Sequence, residues 1–338
     1  MWTEESIEIY ERRLKSNGLP VIFDVEHLRR LIGVEKKYFY KLTNSVDASY
    51  ISRFIDKRNV EKRHPVEKRH LLIPGFNLKL IQIWILNNIL YTQPVATPAT
   101  GFIKQKSIVD NATPHIGKNY IFKTDISNFF PSIKFNNIFH LFLKFGYTSE
   151  VSYILTLLCT YEGYLPQGAP TSPYLSNLIL REFDEKLENI CSLSEYKYTR
   201  YADDITISSN KKISSSEVDY LSKTIEQFLQ TINCFLKLNT AKTKILRPGH
   251  RKIITGVLVN KTLNVPKELI SEIRLEIYCL QKYGASKRIE AYNQKHNTNL
   301  DKYSYRQKLY GKICFVNMIN PKKAEKFYEQ FYDINWMK

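Results

Sequence analysis

Apolar residues in the middle of the chain change their spacing several times, and each change marks an expected element. In "LPQGAPTSPYLSNLILREF" (165–183), a Gly/Pro-rich loop gives way to Leu175, Leu178, Ile179 and Phe183 at helical spacing. Ser172 suits the N-cap of that helix and Pro173 its first position. Val218, Leu221, Ile225, Phe228 and Leu229 mark a second helical face, and Ile270, Ile273, Ile277 and Leu280 a third. "NYIFKTDI" (119–126) is instead rich in β-formers and predicts a strand ending at Asp125, followed by a turn into a helix. "YKYTRYADDITISS" (196–209) predicts a hairpin with Asp203 and Asp204 at its tip. "KIITGVLVNKTLNVP" predicts two strands joined by a turn at Asn260-Lys261. The order is a helical N-terminus, a mixed α/β centre and a helical, basic C-terminus.

Length and composition add bounds to this pattern. The 338 residues suffice for two or three packed subregions, since domains typically run ~100–200 residues. The most apolar run, "LKLIQIWILNNIL" (78–90), is broken by Lys79, Gln82, Asn87 and Asn88, so no bilayer span is expected. The start is acidic without an apolar signal core, and a cytoplasmic location is expected. Cys159, Cys191, Cys234, Cys279 and Cys314 are widely spaced and read as reduced core residues. Charge changes the picture most. Fifty Lys and Arg against 33 Asp and Glu, with 23 Tyr and 18 Phe, suit a surface that follows phosphates and stacks on bases. A basic run at 56–70 and the cation–aromatic alternation of "QKYGASKRIEAYNQKH" (281–296) concentrate that character.

Against that basic background the acids stand out. Adjacent carboxylates at a hairpin tip usually mark a solvated turn. Asp125, closing a strand 78 residues earlier, alters that reading: neighbouring strands would bring it to Asp203 and Asp204. Three clustered carboxylates need counter-charge. Two Mg²⁺ ions, with Mn²⁺ as a substitute, would supply it and leave positions for substrate phosphates.

"TDISNFFPSI", "LPQGAPTSP" and "YADD", in this order, resemble the palm motifs of reverse transcriptases. The similarity covers roughly residues 55–265. It implies an α+β right-hand polymerase fold: a helical segment at 1–54, fingers at 55–118, palm with remaining fingers elements at 119–250, and a thumb and RNA-binding region at 251–338. By resemblance, Asp125, Asp203 and Asp204 are the metal ligands and catalytic acids. Lys242 of "NTAKTKI" matches a lysine that protonates pyrophosphate. Phe130 matches the aromatic gate against a 2′-hydroxyl. Gln167 and Gly168 match positions beside the incoming nucleotide, and Arg69, with Lys68, matches a triphosphate grip.

"NATPH" (111–115) and Ile254-Thr255-Gly256 narrow the resemblance to bacterial retron reverse transcriptases, with Ile254 standing where the family carries valine. Asn111, His115, Thr255, Gly256 and Arg288 are the RNA-binding residues expected on that basis. The resemblance implies copying of a cognate structured RNA from a guanosine 2′-hydroxyl into branched single-stranded DNA, using deoxynucleoside triphosphates. It also implies anti-phage defence with a separately encoded effector or toxin, higher-order assembly with that effector, and no membrane partner. A group II intron-like or other bacterial lineage, an RNA-directed RNA polymerase, and an RNA-binding scaffold on a polymerase fold remain the alternatives. Phe130 argues against the RNA polymerase and the intact acidic trio against the scaffold.

Overall fold

The computed structural model describes residues 3–56, 68–232 and 235–336. Cys234 and most of the basic run 56–70 lie outside the described residues. Helices α1 (Glu4–Ser16), α2 (Val25–Ile32) and α3 (Lys36–Asn44) lead into strands β1 (Tyr50–Asp56) and β2 (Lys68–Pro74). Helix α4 (Phe76–Asn88), the short α5 (Ile108–Ala112) and strand β3 (Tyr120–Ser127) follow. Five helices come next: α6 (Phe129–Ser132), α7 (Phe135–Phe145), α8 (Ser149–Cys159), α9 (Ser172–Ile179) and α10 (Arg181–Leu193). The hairpin β4 (Lys197–Tyr201) and β5 (Asp204–Ser209) precedes α11 (Ser215–Thr231). Short strands β6 (Lys237–Leu238), β7 (Lys244–Leu246), β8 (Ile253–Ile254) and β9 (Val257–Leu258) lead to α12 (Lys267–Tyr283). Helices α13 (Ala285–His296), α14 (Lys302–Ile319) and α15 (Pro321–Tyr332) close the order.

Two compact units result. The first gathers residues 1–104, 122–207 and 213–245; the second gathers 105–121, 208–212 and 246–338. These units do not follow the linear cuts expected at 54, 118 and 250. Residues 105–121 join the C-terminal helices because Ala112 and Ile121 are buried in the core that Ile273, Ile313 and Phe331 build. Burial of such side chains, at ~25 cal/mol per Å², outweighs adjacency along the chain.

In the first unit a sheet of order β4-β5-β3-β6, with β7 also on β3, carries the expected palm strands. Alternation along β3 buries Phe122 and Ile126 on one face and leaves Lys123 and Asp125 on the other. Helix α11 begins in a capping box: Ser214 Oγ accepts from Glu217 N, and the Glu217 carboxylate accepts from Ser214 N at 2.7 Å. Helix α9 starts one residue earlier than its pattern suggests, with Thr171 as the cap and Pro173 in the first turn. Strands β1 and β2 pair antiparallel. The fully buried Gln82 of α4 ties them in, donating to Tyr50 Oη and Leu158 O, each at 2.8 Å. On β2, Leu72 N donates to Gln167 O at 2.9 Å. Gly168 follows at φ +136°, where a β-carbon would lie 2.5 Å from Leu72 O.

The second unit contains a reversal that the strand-like pattern conceals. Ile254 pairs with Val257 across a two-residue turn, Thr255 at φ +45° and Gly256 at φ +88°. Positive φ at both central residues is the type I′ geometry that suits strand twist. The reversal expected at Asn260-Lys261 is present as well, closed by hydrogen bonds of 2.8 and 3.0 Å between Leu258 and Asn264. Among the described residues, no helix is long and apolar enough to cross a membrane.

Gly168→Ala is expected to lower the unfolding free energy by ~2–3 kcal/mol through strain and collision with β2. Gly163→Ala is the control. Its φ of +75° is also strained but nothing lies within 4 Å, so ~1 kcal/mol is expected. Urea unfolding of both variants measures the difference; equal losses would show that contact with β2 is unimportant.

Candidate active site

Strand pairing brings the distant acids together. Ile126 N on β3 donates to Asp203 O at 3.1 Å, and Asp125 O accepts from Asn239 N at 2.7 Å. Asp203 follows Ala202, which sits at φ +57°, and Asp204 begins β5. An alanine in the left-handed region needs support, since that conformation is unfavourable for L residues. Arg200 gives it: Nη1 donates to Ala202 O at 2.9 Å, while Nε and Nη2 form a bidentate pair with Asp184 at 2.8 and 2.6 Å. Tyr198 Oη donates to the same carboxylate at 2.6 Å. Arg200 and Asp184 are both fully buried, so each charge depends on the other. Neither was singled out from the sequence, although an arginine between strand positions just before an acidic turn is an available signal.

The acids face several cations. Lys242 Nζ donates to both Asp125 oxygens at 3.0 Å. Burial, then the charges of Asp125 and Asp204, push Asp203 up to about 6. Burial also raises Asp204, with Lys123 the foremost cation opposing that shift. Lys123 is itself lowered, chiefly by burial, with Lys244 acting in the same direction and Asp204 against it. The donor set suits a hard divalent cation, because the carboxylates offer oxygen ligands and mutual repulsion to relieve. Among the described residues no group of three ligating side chains is already arranged around one ion position. Mg²⁺ is commonly held by one or two carboxylates together with substrate phosphates and waters.

The other expected site residues divide into those beside the acids and those elsewhere. Asn128, in the left-handed region at φ +46°, turns the chain after β3 into α6. Phe129 is buried there, and Phe130 is half-buried against it with ring centroids 5.2 Å apart. Gln167 binds β2 through its carbonyl. Gly168 brings its backbone against Leu72, where any β-carbon would collide. Lys68 and Arg69 are exposed at the start of β2, opposite Asp56 and Ile55.

The residues expected to touch RNA are placed differently. Asn111 and His115 are buried. Asn111 Nδ2 donates to Thr255 Oγ1 at 3.3 Å, and Thr255 Oγ1 donates to Ile108 O at 3.3 Å. His115 Nδ1 lies 2.6 Å from Ser208 Oγ. The two motifs thus latch the second unit together, and the polar side chains are consumed inward. Arg288 also turns inward: its guanidinium forms a bidentate pair with the buried Glu276 at 2.8 and 2.7 Å, and Tyr305 Oη donates to that carboxylate too. Its charge is matched inside the helical unit.

Two strand-borne acids, a third at the hairpin turn and a lysine on Asp125 make up the candidate catalytic centre. The family model for reverse transcriptase (RNA-dependent DNA polymerase) matches residues 55–288. Retron Ec86 reverse transcriptase of Escherichia coli is 35% identical over 79% of this chain and 81% of its own length. Retron Mx162 reverse transcriptase of Myxococcus xanthus is 28% identical over 96% of this chain and 70% of its own. Retron Ec73 reverse transcriptase of Escherichia coli is 32% identical over 80% of this chain and 85% of its own. The chain belongs to the retron reverse transcriptases, RNA-directed DNA polymerases with the right-hand fold, and reverse transcriptases use divalent metal ions.

The raised Asp203 carboxyl has a sign that can be checked. Its folded value of about 6 exceeds the ordinary 3.8, so its contribution to stability is complete below pH 3.8 and lost as pH rises through 6. Asp203→Asn should raise the unfolding free energy of metal-free protein at neutral pH by on the order of 2 kcal/mol. That gain should shrink to nothing near pH ~4. Urea unfolding at the two pH values tests it; an equal gain at both would remove the electrostatic explanation.

Proposed function

We propose that this reverse transcriptase copies part of a cognate structured non-coding RNA into single-stranded DNA, starting from a guanosine 2′-hydroxyl. The product would be a branched RNA–DNA joined through a 2′,5′ linkage. The convergence of Asp125 and Asp203 across the β3–β5 pairing is the observation that most supports the reading. The proposed setting is a cytoplasmic anti-phage retron system with a separately encoded effector or toxin that assembles with the nucleoprotein.

Asp125 and Asp203 would hold two Mg²⁺ ions, with Asp204 as the third acid; Mn²⁺ would substitute. When bound, the ions supply activation of the attacking hydroxyl and neutralise charge on the departing pyrophosphate. The hydroxyl would give up its proton to water as its oxygen forms a bond to the α-phosphorus and the bond from that phosphorus to the bridging oxygen breaks. Lys242 would first release Asp125 and then give its proton to the pyrophosphate. Arg69 and Lys68 would grip the triphosphate, with Gln167 beside the nucleotide. The flat ring of Phe130 would leave no room for a ribose 2′-hydroxyl, a selection by collision.

With Arg288 paired inward, the proposed RNA surface is a groove of about 490 Å³ between α12 and α15. Arg274, Lys322, Lys323 and Lys326 line it together with Tyr278, and no acid is among its described lining residues. Cations without paired acids suit a phosphate backbone.

Primer extension on an RNA template with Mg²⁺ is the first test. Asp203→Asn is expected to abolish deoxynucleotide incorporation while RNA binding persists; near-normal synthesis would remove the assignment of the acids. Replacing Lys322, Lys323 and Lys326 together by alanine should lower the salt dependence of RNA binding by ~0.7–0.9 slope units per lost phosphate contact. Arg288→Ala should instead cost folding stability, ~3–5 kcal/mol, by leaving Glu276 unpaired. An unchanged slope in the lysine variant would place the RNA on another surface.

A further inference from the structure

A steric gate selects sugars only if its ring cannot yield. Phe130 stands on a four-residue helix and is half-buried, so its own element gives it little restraint. Phe129 backs it from that helix. A second ring comes from elsewhere in the first unit: Phe102, whose centroid lies 6.1 Å from Phe130 and 6.2 Å from Tyr201, tilted about 40° to each. Such tilted aromatic pairs fall in the favourable range of separation.

The chain goes to unusual lengths to put Phe102 there. Residues 98–102 run beside β4: Arg200 N donates to Pro98 O, and Thr100 N donates back to Arg200 O, each at 2.9 Å. Thr100 Oγ1 adds a bond to the same carbonyl at 3.0 Å. At Gly101 the segment presses on the acidic turn, where a β-carbon would meet Ala202 N at 2.8 Å. The buried Asn177 fixes Gly101 by donating to its carbonyl at 2.8 Å. Phe102 then adopts φ +64°, a conformation bulky residues rarely accept, and stays 38% exposed. Burial therefore does not explain the position. Backbone strain of ~1–3 kcal/mol is held where it delivers a ring to the acids' neighbourhood.

We propose that Phe102 is a positioning residue for sugar selection: it holds the Phe130 ring in place, so that removing it lets the ring swing aside for a 2′-hydroxyl. The inference rests on the reading of Phe130 as the gate. It assigns to the segment 98–102 one task, coupling the geometry of the YADD turn to the width of the sugar pocket.

Phe102→Gly is the informative variant, because glycine keeps the positive φ without strain while deleting the ring. Single-nucleotide extension by wild type, Phe102→Gly, Phe102→Tyr, Phe130→Val and the Phe102→Gly/Phe130→Val double variant is measured with deoxy- and ribonucleotides. Phe102→Gly is expected to raise ribonucleotide kcat/KM on the order of tenfold while the deoxynucleotide value changes little. Phe102→Tyr should retain wild-type selectivity. The double variant should be no more permissive than Phe130→Val, because the two rings act through one barrier. Relaxed selectivity in Phe130→Val with an unchanged ratio in Phe102→Gly would overturn the inference and keep the gate. Equal losses with both sugars in Phe102→Gly would overturn it too, as a general structural defect. Unchanged selectivity in Phe130→Val would remove the gate reading itself, and the inference with it.

Discussion

The site depends on one buried ion pair. Neither Asp184 nor Arg200 has exposed side-chain surface, and the guanidinium divides its donors between the carboxylate and the carbonyl of Ala202. Together these bonds link Asp184 on helix α10, through Arg200 on β4, to the turn carrying the acids. In many proteins, replacing such a pair with two well-packed apolar residues is neutral or stabilising. Here the carbonyl of Ala202 would lose its donor, and the left-handed turn would lose its reason to persist. The pair is therefore better understood as a device for geometry than as a source of stability.

Charge organises the surroundings in two layers. Carboxylates that repel one another are held by backbone pairing, not by mutual attraction, and lysines stand around them. Lys242 contacts Asp125 directly and is more than half exposed, so it moves at small cost. Lys123 is more enclosed and lies on the same face of β3 as Asp125. One cation can leave the acids readily; the other is built into the sheet.

Much of this was legible along the chain, and the reasons differ by residue. The β3 strand, the hairpin and α11 could be read because their periodicities are local and their caps lie within three or four residues. The acidic trio could be read because its motifs are contiguous. Arg200 escaped notice because its partner lies 16 residues away on a helix, a pairing that no periodicity announces. Asn111, His115 and Arg288 have side chains equally suited to RNA and to internal latches, and only their neighbours Thr255, Ser208 and Glu276 decide between the two. Thr255 reads as a strand residue since β-branching favours extended backbone, yet it occupies a tight turn at positive φ.

The second unit's composition from three chain segments has a consequence for how such enzymes can diversify. Its core contains Ala112 and Ile121 from before the catalytic strands, and its latches use His115 with Ser208 and Asn111 with Thr255. A recombination event that exchanged everything after residue 246 would bring in new C-terminal helices but leave the old 105–121 and 208–212 behind. Grafting one relative's helical unit onto another's catalytic unit therefore succeeds only when all three segments travel together. Inheritance of the second unit is tied to inheritance of segments flanking the catalytic strands, and its surface is expected to diverge by substitution on the outer helix faces more readily than by wholesale module replacement.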